Sequence, residues 1–216
     1  MKRNLTSQSG FSLLEMAIVL TVIGVVLGGI WVLAVYAWER TRQERVAEEI
    51  TSTVRNTRAY YAGQASVSGS FTTLAATLGA ANVFPGDMLR INSCTNGSNL
   101  CYDHPWSGAA GNVATGSFSV CPWSPGAGVF ACSAGPTPYF AVELRSVPSA
   151  SCMNLVARNS GSNAPSGLID VIINGTTSMA ATGHAFPVRA SDSSASCTAA
   201  AAVTVDFVYG VANPTN

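Results

Sequence analysis

The sequence predicts an α+β fold: one long N-terminal helix, about residues 11–61, whose first half is a membrane stem, packed against a globular head built on an antiparallel β-sheet and held by disulfides. Three observations carry this expectation. Phe11–Trp38 spans 28 residues with Glu15 as the only charge, and an apolar stripe continues beyond it. Three later segments read as strands. All six cysteines fall in the stretch 62–216, which holds only ten charged residues.

The helix comes first. Met16–Trp38 is 23 uncharged residues, about 35 Å of helix at about 1.5 Å per residue, enough to span a bilayer. A secretory signal core is shorter, roughly 7 to 15 residues, and ends in an Ala-x-Ala-like site. Lys2 and Arg3 precede the run, so the N-terminus is expected to face the cytoplasm and the bulk of the chain to face out, with Trp38 at the outer interface. Gly24-Val25-Val26-Leu27-Gly28, followed by Gly29, reads either as close helix–helix packing or as the ordinary glycine content of membrane helices. Glu15 stands out, because a carboxylate within a bilayer costs roughly 2.5 to 3.5 kcal/mol and needs a partner or a purpose.

After Trp38 the composition turns to mixed charge, from Glu39 to Glu49. Arg40 and Glu44 are favourable i,i+4 neighbours. Val46, Ile50, Val54, Thr57 and Tyr61 recur at three or four residues and draw one apolar stripe, so the helix continues outward to about Tyr61. Gly63 and the Ser/Gly-rich stretch 66–70 stop it. In the head, Phe140, Val142 and Leu144 alternate with polar or small residues, as do Val203, Val205, Phe207 and Tyr209, which makes both segments half-buried strands. Leu168–Ile173 is a third strand candidate, bounded by Gly167 and Asn174-Gly175.

Composition and motifs argue against catalysis and nucleic-acid binding. Eleven basic and eleven acidic residues give a formal net charge of +0, with no basic footprint for nucleic acid. The histidines, His104 and His184, belong to no catalytic motif. Cys94, Cys101 and His104 fit no standard zinc spacing, and disulfides account better for these cysteines. Neither cofactor nor metal is expected. Asn96-Gly97-Ser98 and Asn174-Gly175-Thr176 match the Asn-glycosylation pattern, but Asn-Gly is also a tight-turn dipeptide, and turns are the preferred reading. The aromatic, proline-rich stretch with Tyr102, Pro105, Trp106, Pro122, Trp123 and Pro125 is read as a core seam between disulfide loops rather than an exposed adhesive patch.

Gly10-Phe11-Ser12-Leu13-Leu14-Glu15 followed by more than twenty apolar residues resembles the type IV pilin family. The resemblance implies a basic leader ending at Gly10, cleaved by a membrane-embedded prepilin peptidase that also methylates the new N-terminus, Phe11. It implies that Glu15 neutralises the N-terminal amine of a neighbouring subunit during assembly. Two opposite charges withdrawn together from water cost far less than either alone, which supplies the partner Glu15 needs. The proline frequent in the middle of the family's apolar run is missing here, pointing away from the type IVa subclass.

Phe140–Val147 leading to Cys152, and Cys197 leading to Val203–Gly210, resemble the C-terminal region of type IVb pilins of the toxin-coregulated, bundle-forming and conjugative thin-pilus kind. In those a disulfide ties a variable surface segment to the sheet. A leader of ten residues is short for that subclass. An even cysteine count beyond an export segment reads as disulfides formed in an oxidising compartment. Six cysteines allow fifteen connectivities; proximity pairs Cys94 with Cys101 and Cys121 with Cys132, leaving Cys152 with Cys197.

The expected organisation is therefore a leader 1–10, a transmembrane and filament-core segment 11–38, an amphipathic half-helix 39–61 and a head 62–216 containing the disulfide-bounded region 152–197. The expected function is a structural, non-enzymatic pilus subunit that polymerises with itself through its N-terminal helix. Its expected partners are the prepilin peptidase, the assembly platform with its ATPase, and the inner membrane before assembly; host, cell or recipient surfaces are left open as later contacts. A minor pilin or type II secretion pseudopilin is the alternative, and a membrane-anchored periplasmic adhesion or binding domain that never polymerises is a third reading.

Overall fold

The computed structural model describes residues 13–91, 100–107, 117–125, 135–161, 165–175, 177–179 and 186–212. The chain divides into two compact units between Thr41 and Arg42, and helix α1, Leu13–Tyr60, runs through the division. Its ends agree with the expected 11–61 to within two residues. Past Tyr60 the chain turns, with Gln64 N–H donating to Tyr61 O at 2.8 Å, and Gly63 takes a φ of +87°, which a side chain would resist.

In the first unit α1 is amphipathic nowhere. Every residue from Leu13 to Trp38 is exposed. The helix persists because its backbone satisfies itself and because Thr21, the polar residue within the apolar run, returns its hydroxyl to Ala17 O at 2.8 Å.

The second unit begins with the remaining turns of α1. There follow α2 (Phe71–Ala80), a 3-10 turn at Gly86–Met88, and the strands β1 (Leu89–Ile91), β2 (Leu100–Tyr102), β3 (Phe118–Trp123) and β4 (Tyr139–Pro148). Then come α3 (Ser149–Asn159), β5 (Leu168–Ile173), β6 (Thr177–Ser178), α4 (Ala190–Cys197) and β7 (Ala202–Gly210). The described strands form one sheet in the order β1-β2-β3-β4-β7-β5-β6, antiparallel at every pairing. The last strand in sequence is thus inserted between β4 and β5. Phe140 faces Tyr209, Val142 faces Phe207 and Leu144 faces Val205 across the β4–β7 seam, until a bulge at Leu144–Val147, where Ser146 has a φ of 61°.

One face of the sheet, with Val120, Val142, Val171 and Phe207 among its residues, joins Val46, Ile50 and Val54 of α1, Leu74 and Leu78 of α2, and Leu155 and Val156 of α3 in one core. The stripe read from the sequence is the buried face of α1: Val46, Ile50, Val54, Thr57 and Tyr61 are all buried. Ser70 caps α2, its side-chain oxygen accepting from Thr73 N–H at 3.3 Å. Gly79 lets Tyr102 approach that helix, since a Cβ there would stand 2.0 Å from the tyrosine hydroxyl.

The sheet departs from the sequence reading in one respect. The alternate positions of β4 and β7 are not solvated: Ala141, Glu143, Asp206 and Val208 are buried, and Trp123, Ala141, Ile172 and Val208 form a second, smaller cluster. Strands read as half-buried are therefore buried on both faces.

Candidate assembly segment and disulfide-bounded region

The candidate assembly segment, in the first unit, is a helix of unmatched apolar surface. Leu13 is 90% exposed, Trp31 73% and Trp38 67%, and Glu15 lies in the first turn. A contiguous apolar surface of this size marks contact with lipid or with another protein. Among the described residues α1 is the one helix long and apolar enough to cross a membrane. Apart from the helix's own backbone, nothing lies within 4 Å of where a Cβ would stand on Gly24, Gly28 or Gly29, so these glycines leave a smooth stretch open to an approaching helix. Gly10 and Phe11, the expected cleavage residues, lie outside the described residues.

The second half of α1 is fixed by polar contacts as well as by its stripe. Arg45 bridges two carboxylates, Glu49 at 3.2 Å and Asp87 beyond α2. Glu49 is buried, one of its oxygens has no hydrogen-bond partner, and burial pushes its carboxyl up to about 7 against the opposing pull of Arg45. Asn56 Nδ2 donates to Val83 O at 2.9 Å. Arg58 Nε donates to Gly210 O at 2.9 Å, and its guanidinium lies 5.7 Å from the centre of the Tyr209 ring. Burial lowers the pKa of Arg58. These bonds hold the helix to both the chain that follows α2 and the end of β7.

Cys152 and Cys197 form the expected disulfide, with Cα atoms 5.6 Å apart. Both are fully buried. The bond joins α3 to the end of α4, at the start and finish of the excursion that carries β5 and β6 to the sheet edge before β7 returns inside it. Cys101 and Cys121 are also disulfide-bonded; their expected partners, Cys94 and Cys132, lie outside the described residues.

Asn174 occupies the left-handed region, with a φ of 55°. Its Nδ2 donates to Ser196 O at 3.3 Å, and its Oδ1 accepts from Thr204 N–H at 3.2 Å. The side chain is thus a turn brace between α4 and β7, as the turn reading of Asn-Gly expects. Asn96 lies outside the described residues.

His104 is a structural histidine. Trp106 N–H donates to its Nδ1 at 3.2 Å, so the proton sits on Nε2, which donates to Arg145 O at 2.6 Å. Burial pulls it down to about 4, leaving it neutral around pH 7. With both ring nitrogens bonded to backbone and Cys101 in a disulfide, the drawn Cys94–Cys101–His104 cluster has lost two of its three donors. Among the described residues no group of three metal-binding side chains gathers. His184 lies outside the described residues. Tyr102, Trp106 and Trp123 are buried, and Tyr102 stacks on Phe84 at 4.0 Å, so the aromatic stretch is a core seam.

Comparison with known proteins agrees with both halves of this description. The family model described as PilS N terminal matches residues 40–209, and that of the prokaryotic N-terminal methylation motif matches residues 5–31. The chain belongs to the PilS family of type IVb pilins. Among solved structures, this pilin is similar to a type IVb pilin from Salmonella typhi, with 21% identity over 76% of this chain and 97% of that one, at a TM-score of 0.49. No curated protein matches it. The methylation-motif match covers Gly10, Phe11 and Glu15, the positions that carried the resemblance in the sequence. The pilin is a structural subunit of a pilus, and its N-terminal motif is that of prepilin processing.

Proposed function

We propose that this pilin is the major subunit of a type IVb pilus, cleaved between Gly10 and Phe11 and polymerised through residues 11–38. Before assembly it sits in the inner membrane with residues 39–216 on the outer side, as Lys2 and Arg3 imply. The peptidase removes 1–10 and methylates Phe11, and the assembly platform with its ATPase transfers the helix from lipid into the filament core. Glu15 pairs there with the Phe11 amine of a neighbouring subunit. The observation that carries this reading is the fully exposed apolar helix with one carboxylate in its first turn, joined to a unit that completes its own core. Removing that surface from lipid and packing it against identical helices retains its burial at roughly 25 cal/mol per Å².

Lys2 is the sole lysine of the sequence, so cleavage and methylation together leave the chain without a primary amine. Mass spectrometry of sheared surface material is expected to find this chain abundant, starting at N-methylated Phe11 and unlabelled by reagents specific for primary amines. Recovery at low copy with the same N-terminus makes it a minor pilin or pseudopilin. Retention in membranes with Met1 and Lys2 labelled by those reagents makes it an anchored periplasmic domain.

A further inference from the structure

The sheet's second face contains a charge arrangement that the assembly role does not use. Glu143 on β4 and Asp206 on β7 are directly opposite in register, and antiparallel partners point to the same side. Both are buried, Asp206 completely. Glu143 is well provided: Arg145 forks onto both of its oxygens, with Nη2 at 3.1 Å from Oε2, and Ser119 Oγ donates to Oε2 at 3.1 Å. Neither oxygen of Asp206 has a hydrogen-bond partner.

We propose that Glu143, Asp206 and Arg145 hold one proton at neutral pH, carried on Asp206, and that this proton locks the β4–β7 seam. One cation cannot balance two carboxylates, and an unpaired charge in a dry interior is far costlier than a neutral acid. Glu143 takes the guanidinium and the hydroxyl, so the proton falls to Asp206. Among the described residues the neighbouring strand positions supply no second cation: on β5, Ile172 faces Asp206 directly and the acid Asp170 lies two residues along, while Thr204 and Val208 flank it on β7. His184 lies outside the described residues. Burial, then the charge of Glu143, raises the carboxyl of Asp206 well above its ordinary range, with Arg145 opposing.

The sign of the consequence follows. A carboxyl whose folded pKa is raised holds its proton in the folded state and releases it on unfolding, so its contribution is intact below the ordinary carboxylate range and is lost as pH rises toward the folded value. Asp206 keeps its proton in acid and at neutrality, but the stability that proton lends the seam is greatest in acid and falls steadily as pH rises above the ordinary carboxylate range. It joins β7, last in sequence, to β4, the longest described strand, so its loosening loosens the head.

The test compares full-length wild-type pilin with Asp206→Asn, in detergent, by denaturant unfolding from pH 5 to pH 9. The ratio of their folding constants cancels the titration of Glu49. It is expected to turn against the wild type by up to about tenfold per pH unit; parallel curves overturn the proposal. Should Asp206→Asn fail to fold, infrared spectra of the chain carrying Glu15→Gln and Glu49→Gln at pH 8 decide. A protonated-carboxyl band that disappears on raising the pH further supports the lock, and its absence ends it.

Discussion

The two halves of α1 are one continuous helix with opposite fates. From Leu13 to Trp38 every side chain is exposed, whereas Val46, Ile50, Val54 and Thr57 are sealed against the sheet and its helices. The difference lies in what each half finds to pack against. The second half alternates charge with an apolar stripe, so one face can be buried within its own chain while the other meets water. The first half is apolar all round, a surface that this chain does not cover and that lipid or other copies can. Stability of the folded unit and competence for assembly are therefore carried by different stretches of one helix, and mutations should separate them.

The largest effect is expected from breaking the buried disulfide. Replacing Cys152 and Cys197 by alanine frees a loop whose ends are 45 residues apart, a loss of about 4 kcal/mol in the chain-entropy account. Denaturant unfolding should record it, and a shift confined to assembly would place the bond on the wrong side of the comparison. Next, Ile50→Ala should destabilise the same unit by about 3 kcal/mol through lost burial and a residual cavity; equal loss from Ile23→Ala in detergent would erase the distinction between the halves.

Glu15→Ala sharpens the contrast from the other side. On the proposed pairing it would leave a neighbour's amine without its partner in an apolar filament core, a cost of roughly 2.5 to 3.5 kcal/mol, or about a hundredfold in subunit addition. Sheared filament yield should collapse while the unfolding midpoint stays put. Unaltered filaments would remove Glu15 from the assembly role.

The smallest effect concerns Glu49. Its folded pKa is raised, so its contribution to stability is intact below its ordinary value and is lost as pH rises through about 7. Glu49→Gln should therefore gain on the order of 1 to 3 kcal/mol at pH 8 and little at pH 4. A gain that is independent of pH would mean that packing, not charge burial, governs this site.

Much of this molecule was legible in order of residues. The uncharged run and the stripe from Val46 to Tyr61 predicted α1 nearly to its ends, because helix periodicity and membrane length are local properties. The three alternating or apolar segments became β4, β5 and β7, and Cys152 and Cys197 met as expected. The short strands β1, β2, β3 and β6 and the helices α2, α3 and α4 went unread, since two to eleven residues carry too little periodicity to declare a type, and the helices are built largely from small residues such as Ser, Ala and Thr. Only the tertiary structure decided that β7 enters between β4 and β5, that both faces of the sheet are covered, and that Glu49, Glu143 and Asp206 are buried. Sequence assigns a charged residue in an alternating strand to water, because alternation reports one buried face. Whether the other face is also buried is decided by tertiary packing, which alone turns an expected surface carboxylate into a buried acid.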